Sequence, residues 1–294
     1  MTASAKTPFG IFVERYSDSY VAVMAAIGFA VIVIAALLAP LITAQNPYDL
    51  AQVDILDARL PPGEQAYAGY VFWLGSDGSG RDVLSAILYG LRISLAVGVA
   101  SGLIAMVIGS IIGLVAAFSS GRVDTLIMRI VDLQLSFPAI LVALMLVAIL
   151  GKGVDKVLIA LVMVQWAYYA RTVRATALAE RSKEYVEAAA NLALSPMRIL
   201  FGHIAPNCIS PLIVVATIQT AHAIALEATL SFLGLGLPQT EPSLGILIAN
   251  GYEYMVSGKY WISVFPGIAL LVTIFCINLV GDQLRDVLNP RLSK

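Results

Sequence analysis

Six stretches of this chain run without a charged residue, and they constrain everything else about it. They are Val21 to Ala44, Ile93 to Gly121, Leu133 to Gly151, Val157 to Ala170, Ile199 to Leu226, and Tyr260 to Gly281. A bilayer core about 30 Å thick needs about 20 helical residues to cross. The Val157 run is the shortest, closed by Lys156 and Arg171. Both flanking side chains can snorkel to an interface, and Val154 extends the run at one end. With 59% apolar and 13% charged residues, a water-soluble fold would have nowhere to hide this surface. The same composition excludes disordered, collagen-like and disulfide-stapled chains. A net charge of −1 gives no reason to expect nucleic acid as a partner. Cys208 and Cys276 both lie in apolar runs and read as packing residues. The expectation is an all-α integral membrane protein with six transmembrane helices. They fall at about 21–44, 93–120, 130–151, 154–172, 208–234 and 260–282.

Six spans place both termini on one side, and the basic residues choose the side. With the N-terminus inside, twelve fall inside: Lys6, Arg15, Arg122, Arg129, Arg171, Arg174, Arg181, Lys183, Arg198, Arg285, Arg291 and Lys294. Six fall outside: Arg59, Arg81, Arg92, Lys152, Lys156 and Lys259. The excess favours an N-in, C-in arrangement. The first span is too long for the apolar core of a cleaved signal, and Ile42 with Ala44 makes a poor cleavage site. Residues 1–20 read as a cytoplasmic amphipathic arm, and 21–294 as the transmembrane domain. In the arm, Phe9, Phe12, Val13, Tyr16 and Tyr20 share one helix face, with Thr7 and Pro8 as cap and first helical residue. Such a helix suits the inner membrane interface. Outside, Gln45 to Arg92 is a long mixed segment in which Asp54 to Leu60 is expected as a short helix.

Within the second run, Gly98, Gly102, Gly109 and Gly113 fall on one stripe of a helix. Small-residue stripes let helix backbones approach closely in lipid, so this is expected as a packing face in a bundle or at a subunit interface. Asp132 and Glu227 lie in or beside apolar runs, where a charge costs about 3 kcal/mol or more on insertion scales. Each is a candidate pathway acid or a paired structural group, and Arg129 is a neighbour of Asp132 on the same helix. His203 and His222 read as hydrogen-bonded packing residues.

No phosphate-binding Gly-rich loop ending in Lys-Ser or Lys-Thr is present, so ATP chemistry is not expected in this chain. Zinc-protease, paired-cysteine and serine-hydrolase signatures are missing too, and no catalytic or metal site is expected. The run Asp77 to Asp82 opens like a calcium loop, but Leu88 stands where the last acidic ligand belongs. It reads instead as a turn into a helix with Asp82 near its N-terminus.

Between the fourth and fifth spans, about 173–207, the chain forms a long charged segment. Glu184 to Leu192 is rich in helix formers, and Ala188, Ala189 and Ala190 leave a low surface for close contact beside Glu187. Ser195 and Pro196 then form a cap and first helical residue for a second helix to Ile204, which Pro206 is expected to interrupt.

The run Tyr185 to Asn207 resembles the EAA loop of ABC-importer permeases, with Glu187, Ala188, Ala189, His203, Pro206 and Asn207 matching. At the turn, where that family carries Gly, this chain has Ala193. An alanine in the left-handed conformation needed there costs roughly 1 kcal/mol. Leu74 to Leu95, Leu230 to Gly236 followed by Pro242, Ser243 and Gly245, Phe265 to Gly267, and Asn278 to Leu292 resemble the peptide-importer branch. The resemblance runs from about residue 20 to the end, and the chain is similar to the C-type permease of dipeptide, oligopeptide, nickel, opine or glutathione importers.

The resemblance implies a type I ABC-importer permease fold in a bacterial cytoplasmic (inner) membrane. It implies pairing with a second homologous permease, two cytoplasmic ATPase subunits holding ATP and magnesium, and an extracytoplasmic substrate-binding protein. It also implies that Tyr185, Val186, Glu187, Ala188, Ala189, Ala190, Leu192, Ala193, Ser195 and Pro196 form the coupling element for an ATPase subunit. Two other classes compete: an ion-coupled secondary transporter using Glu227, and a membrane scaffold. The first expects inverted repeats, and none is visible. Only the importer needs a stable ATPase partner.

Overall fold

A computed structural model describes residues 7–49, 51–119, 121–238 and 240–288. Residues 1–6 of the arm lie outside the described residues, as does the end of the Asn278 to Leu292 run. The described residues form twelve α-helices. In chain order, α1 is Pro8–Ser17, α2 Tyr20–Leu37, α3 Ala39–Ile42 and α4 Val83–Phe118. Then α5 is Gly121–Ser136, α6 Ala139–Leu150, α7 Val154–Arg181 and α8 Glu184–Asn191. Last come α9 Pro196–Ile199, α10 Ala205–Phe232, α11 Leu244–Tyr252 and α12 Trp261–Leu288.

Local chemistry sets the helix starts. Thr7 caps α1 through Gly10 N, Ser19 caps α2 through Ala22 N, and Asp82 caps α4 through Ser85 N. The Asp77 turn therefore leads into a helix, as expected. Capped there, α4 begins ten residues before the apolar run that the sequence marks as a span, because Val83, Ala86, Ile87 and Leu91 are buried in the core. The expected helix at Asp54 to Leu60 is only a short 3-10 turn, Ile55–Asp57. Ser76 fixes the end of this turn and the chain just after it, its hydroxyl donating to Asp57 O and accepting from Leu60 N.

By length and composition, α2, α4, α12 and the helical path Pro196–Phe232 can each cross a membrane. The third expected span is not one straight helix. It divides into α5 and α6, bent by 92° at Phe137 and Pro138, and the pair could form a fifth crossing. Proline removes an amide donor and keeps the preceding residue out of helical conformation. Pro206 behaves differently from the expectation. It falls in the first turn of α10, where its missing N–H costs nothing, and the path continues from α9 through a π-helical turn, Leu200–Ile204.

At the centre, α4 packs on α7, α10 and α2. One end of the bundle gathers Ala36, Val83, Leu91, Leu244, Trp261 and Ile262 in an apolar cluster. The segment between α3 and α4 sits on this end, where Trp261 Nε1 donates to Ser76 O at 3.2 Å. The opposite end gathers the close of α4 and α7, the start of α10, and α8.

Candidate functional site

The segment joining α7 to α10 is built as a platform with two faces. Val186 and Ala189 are buried with Ala117 of α4, Val173 and Ala177 of α7, and Cys208 of α10. Glu187, Ala188, Ala190, Leu192, Ala193, Ser195 and Pro196 are exposed. Ala188 and Ala190 beside Glu187 thus open away from the bundle, whereas Ala189 and Val186, expected with them in the docking element, pack inward because their apolar side chains meet the helix ends. Met197 and Phe201 extend that exposed face and are 65% and 63% accessible. Sequence reading passed over these two, because a Met and a Phe in a helical run look like core until their orientation is known.

The turn between α8 and α9 takes the strained form. Ala193 has φ 55°, one of two positive non-glycine values among the described residues. Its N–H donates to Ala190 O at 2.9 Å, and Leu194 N–H donates to Ala189 O at 3.3 Å. This is the Schellman pairing, with Leu194 packed on the cluster that holds Ala189. Left-handed alanine costs about 1 kcal/mol or more. Ala193→Gly is therefore expected to raise the thermal midpoint of the purified protein, and an unchanged or lower midpoint would contradict the strain. Ser195 then caps α9 by accepting from Arg198 N at 3.4 Å.

Polar contacts hold the platform to its neighbours. Glu180, in the last turn of α7, forms an ion pair with Lys183 at 2.6 Å and accepts from Tyr185 Oη at 2.5 Å. Burial acts to raise the Glu180 pKa, but the hydrogen bonds from Lys183 and Tyr185 outweigh it and hold the carboxyl below its usual range. Burial, then the bond to Glu180, pushes the Tyr185 phenol up to about 12. Arg174 Nε and Nη2 bind Asp124 at 2.5 and 2.6 Å, which lowers that carboxyl's pKa and fastens α5 to α7. The Asp124–Arg174 pair joins residues 50 apart in the chain, and no local spacing announces it.

The glycine stripe sits inside this chain. A Cβ on Gly98 would meet Ile224 of α10 at 2.5 Å, and one on Gly113 would meet Ala170 O of α7 at 2.5 Å. Gly102 faces Thr220 and Tyr169 between those two helices. Asp132 pairs at 2.5 Å with Arg171 of α7 rather than with Arg129, and both partners are more than half exposed. Glu227 is fully buried. Its Oε2 accepts from Ser94 Oγ and its Oε1 from Ser231 Oγ, each at 2.8 Å, and Ser243 supplies a third hydroxyl. Ser243 also caps α11. One carboxylate on α10 thereby ties α4 to the first turn of α11, and it faces no open path.

Comparison with known proteins places the chain in a family. Residues 105–294 match the family model for the binding-protein-dependent transport system inner membrane component, and the chain belongs to that family. Residues 7–62 match the N-terminal transmembrane domain of oligopeptide transport permease C, which narrows the chain to the C-type permeases of the peptide-importer branch. A putative peptide transport system permease protein of Brucella suis biovar 1 is 43% identical over 89% of this chain and 85% of its own length. The di/tripeptide transport system permease protein DppC of Pseudomonas aeruginosa is 36% identical, covering 97% of this chain and 93% of that one. The oligopeptide transport system permease protein OppC of Bacillus subtilis is 34% identical over 95% and 88%. Among solved structures, an inward-facing MetNI methionine ABC transporter chain aligns with TM-score 0.57 at 21% identity. The alignment covers 69% of this chain and 96% of that one, a likeness of fold.

Proposed function

We propose that this chain forms half of the translocation pathway of a bacterial inner-membrane ABC importer for di- or oligopeptides. A second, homologous permease supplies the other half. Two cytoplasmic ATPase subunits bind ATP and magnesium, and an extracytoplasmic binding protein delivers the cargo. The observation that carries this reading is the two-faced platform of α8 and α9. One face is anchored on the ends of α4, α7 and α10, while Glu187, Ala188, Leu192 and Met197 stand free for a partner.

The chain crosses six times in this reading, through α2, α4, the bent α5–α6 pair, α7, α10 and α12, with both termini inside. Support comes from the two ends of the bundle. The starts of α4 and α12 share the end that carries the long outer segment, while α1 meets the far end of α12 through Gln283 and Arg15 O. Although too polar in its second half to be marked by hydropathy, α7 has 28 residues, about 42 Å at helical rise. Its basic residues Arg171, Arg174 and Arg181 then lie toward the cytoplasm.

Transport follows as rigid-body switching between two states, biased by a nucleotide-driven partner. Closure of the ATPase subunits displaces α8, and the spans behind it follow. Glu187→Arg inverts a charge on the free face without touching the packed one. Co-expression with a second permease and the ATPase subunits should therefore yield normal amounts of membrane-inserted protein. ATPase copurification and binding-protein-stimulated hydrolysis should fall at least about tenfold, the factor for 1.4 kcal/mol at a contact. Retention of both would overturn the docking reading.

A further inference from the structure

The platform meets the bundle through two kinds of contact, and they do different mechanical work. Val186 and Ala189 meet the helix ends through apolar contact, which has no directional demand and tolerates sliding. The polar contacts allow no such freedom. Only Ser182 and Lys183 separate α7 from α8. Across that joint, Glu180 holds Lys183 with one carboxylate oxygen and Tyr185 Oη with the other. Tyr185 Oη also accepts from Asn207 Nδ2 of α10 at 3.2 Å. Asn207 Nδ2 donates in turn to His203 O of the π-helical turn, at 2.6 Å. One continuous polar chain therefore runs from the end of α7 through α8 to the start of α10, and its hub, Glu180, is largely buried.

We propose that Glu180, through Tyr185 and Asn207, is a positioning group that makes α8 and the adjoining ends of α7 and α10 move as one body. Without it, a pull on α8 would be spent in sliding along the apolar seam. With it, the pull reaches two long helices that pack on each other and on α4. Glu180 itself lies away from the free face, so it acts on transmission and not on docking. The proposal rests on the docking reading of α8, and the two can fail separately.

The test uses the whole complex in nanodiscs, with the native cysteines of this chain, Cys208 and Cys276, replaced by alanine. Spin labels are placed on Asn191 of α8 and on either Ala179 of α7 or Ile209 of α10. Distances are measured without nucleotide and after trapping with ATP and vanadate. In the otherwise unchanged protein, each distance should hold to within about 2 Å, the scale of packed-helix shifts. Glu180→Gln, nearly the same shape without the charge, and Tyr185→Phe, which cuts both links, should each move more than that on trapping. With Glu180→Gln, which lies off the free face, the ATPase subunits should still copurify at the normal ratio. Distances that stay fixed in both variants would overturn the proposal, as would a large nucleotide-driven change in the unaltered protein. Loss of ATPase copurification with Glu180→Gln would overturn it too, by placing that residue in docking itself. Glu187→Arg, purified alongside, separates the readings. Fixed distances in the two variants, beside loss of the ATPase from Glu187→Arg, overturn this proposal alone. An ATPase that stays bound to Glu187→Arg overturns the docking reading on which the proposal rests.

Discussion

Glu227→Ala is expected to strip folded protein from the membrane. The substitution removes the common acceptor of Ser94, Ser231 and Ser243 and leaves a void where α4, α10 and α11 meet. Unpaired buried hydroxyls cost about 1–3 kcal/mol and a large-to-small cavity about 2–5 kcal/mol, so a net loss of about 3–5 kcal/mol is expected. That is a large share of the stability of a typical fold. Glu227→Gln keeps one carbonyl acceptor and the shape, and should cost about 1 kcal/mol. Thermal unfolding followed by size-exclusion chromatography in detergent reads both. Equal midpoints for the alanine variant and the native protein would remove Glu227 from its structural role.

A second large effect is expected where α4 crosses α7. A Cβ at Gly109 would lie 2.6 Å from Tyr169 Cβ and 3.0 Å from Ala170 N, and backbone cannot yield as a flexible side-chain tip can. Gly109→Leu should separate the two helices and abolish assembly, and even Gly109→Ala should cost about 1–3 kcal/mol. Gly267 of α12 supplies the contrast, since nothing lies within 4 Å of its missing Cβ. Gly267→Ala should stabilise the helix by up to about 1 kcal/mol through propensity alone. Matched thermal melts of the two alanine variants check the pair, and equal shifts in the same direction would refute the close-approach account of the stripe.

What could be read in the sequence follows from the range of each signal. Apolar runs, caps and glycine spacing act within one helix, so the long helices, the Asp82 and Ser195 caps and the Gly98 to Gly113 face were legible. Ala193 was legible as a question, since a turn of that geometry strains any residue with a Cβ. The break at Pro138 was hidden because the proline sits inside an uncharged run, Leu133 to Gly151, which reads as one span. The pairing of Asp132 with Arg171 was hidden because the local rule favours a neighbour on the same helix, and the tertiary fold offers a better one. Glu180 carried only the i, i+3 spacing to Lys183 as a local mark. Its importance lies in contacts with Lys183 and Tyr185 and, through Tyr185, with Asn207.

The central claim, that the free face of α8 receives an ATPase subunit, is tested most directly by two adjacent alanines. Ala188 is exposed, while Ala189 is only 5% accessible and packs inward. In the assembled complex, Ala188→Cys should cross-link to an ATPase subunit through a short bifunctional thiol reagent, with a yield that changes when ATP and vanadate are added. Ala189→Cys, one residue away on the packed face, should not. Cross-linking from Ala189→Cys alone, or from neither position in an intact complex, would contradict the account.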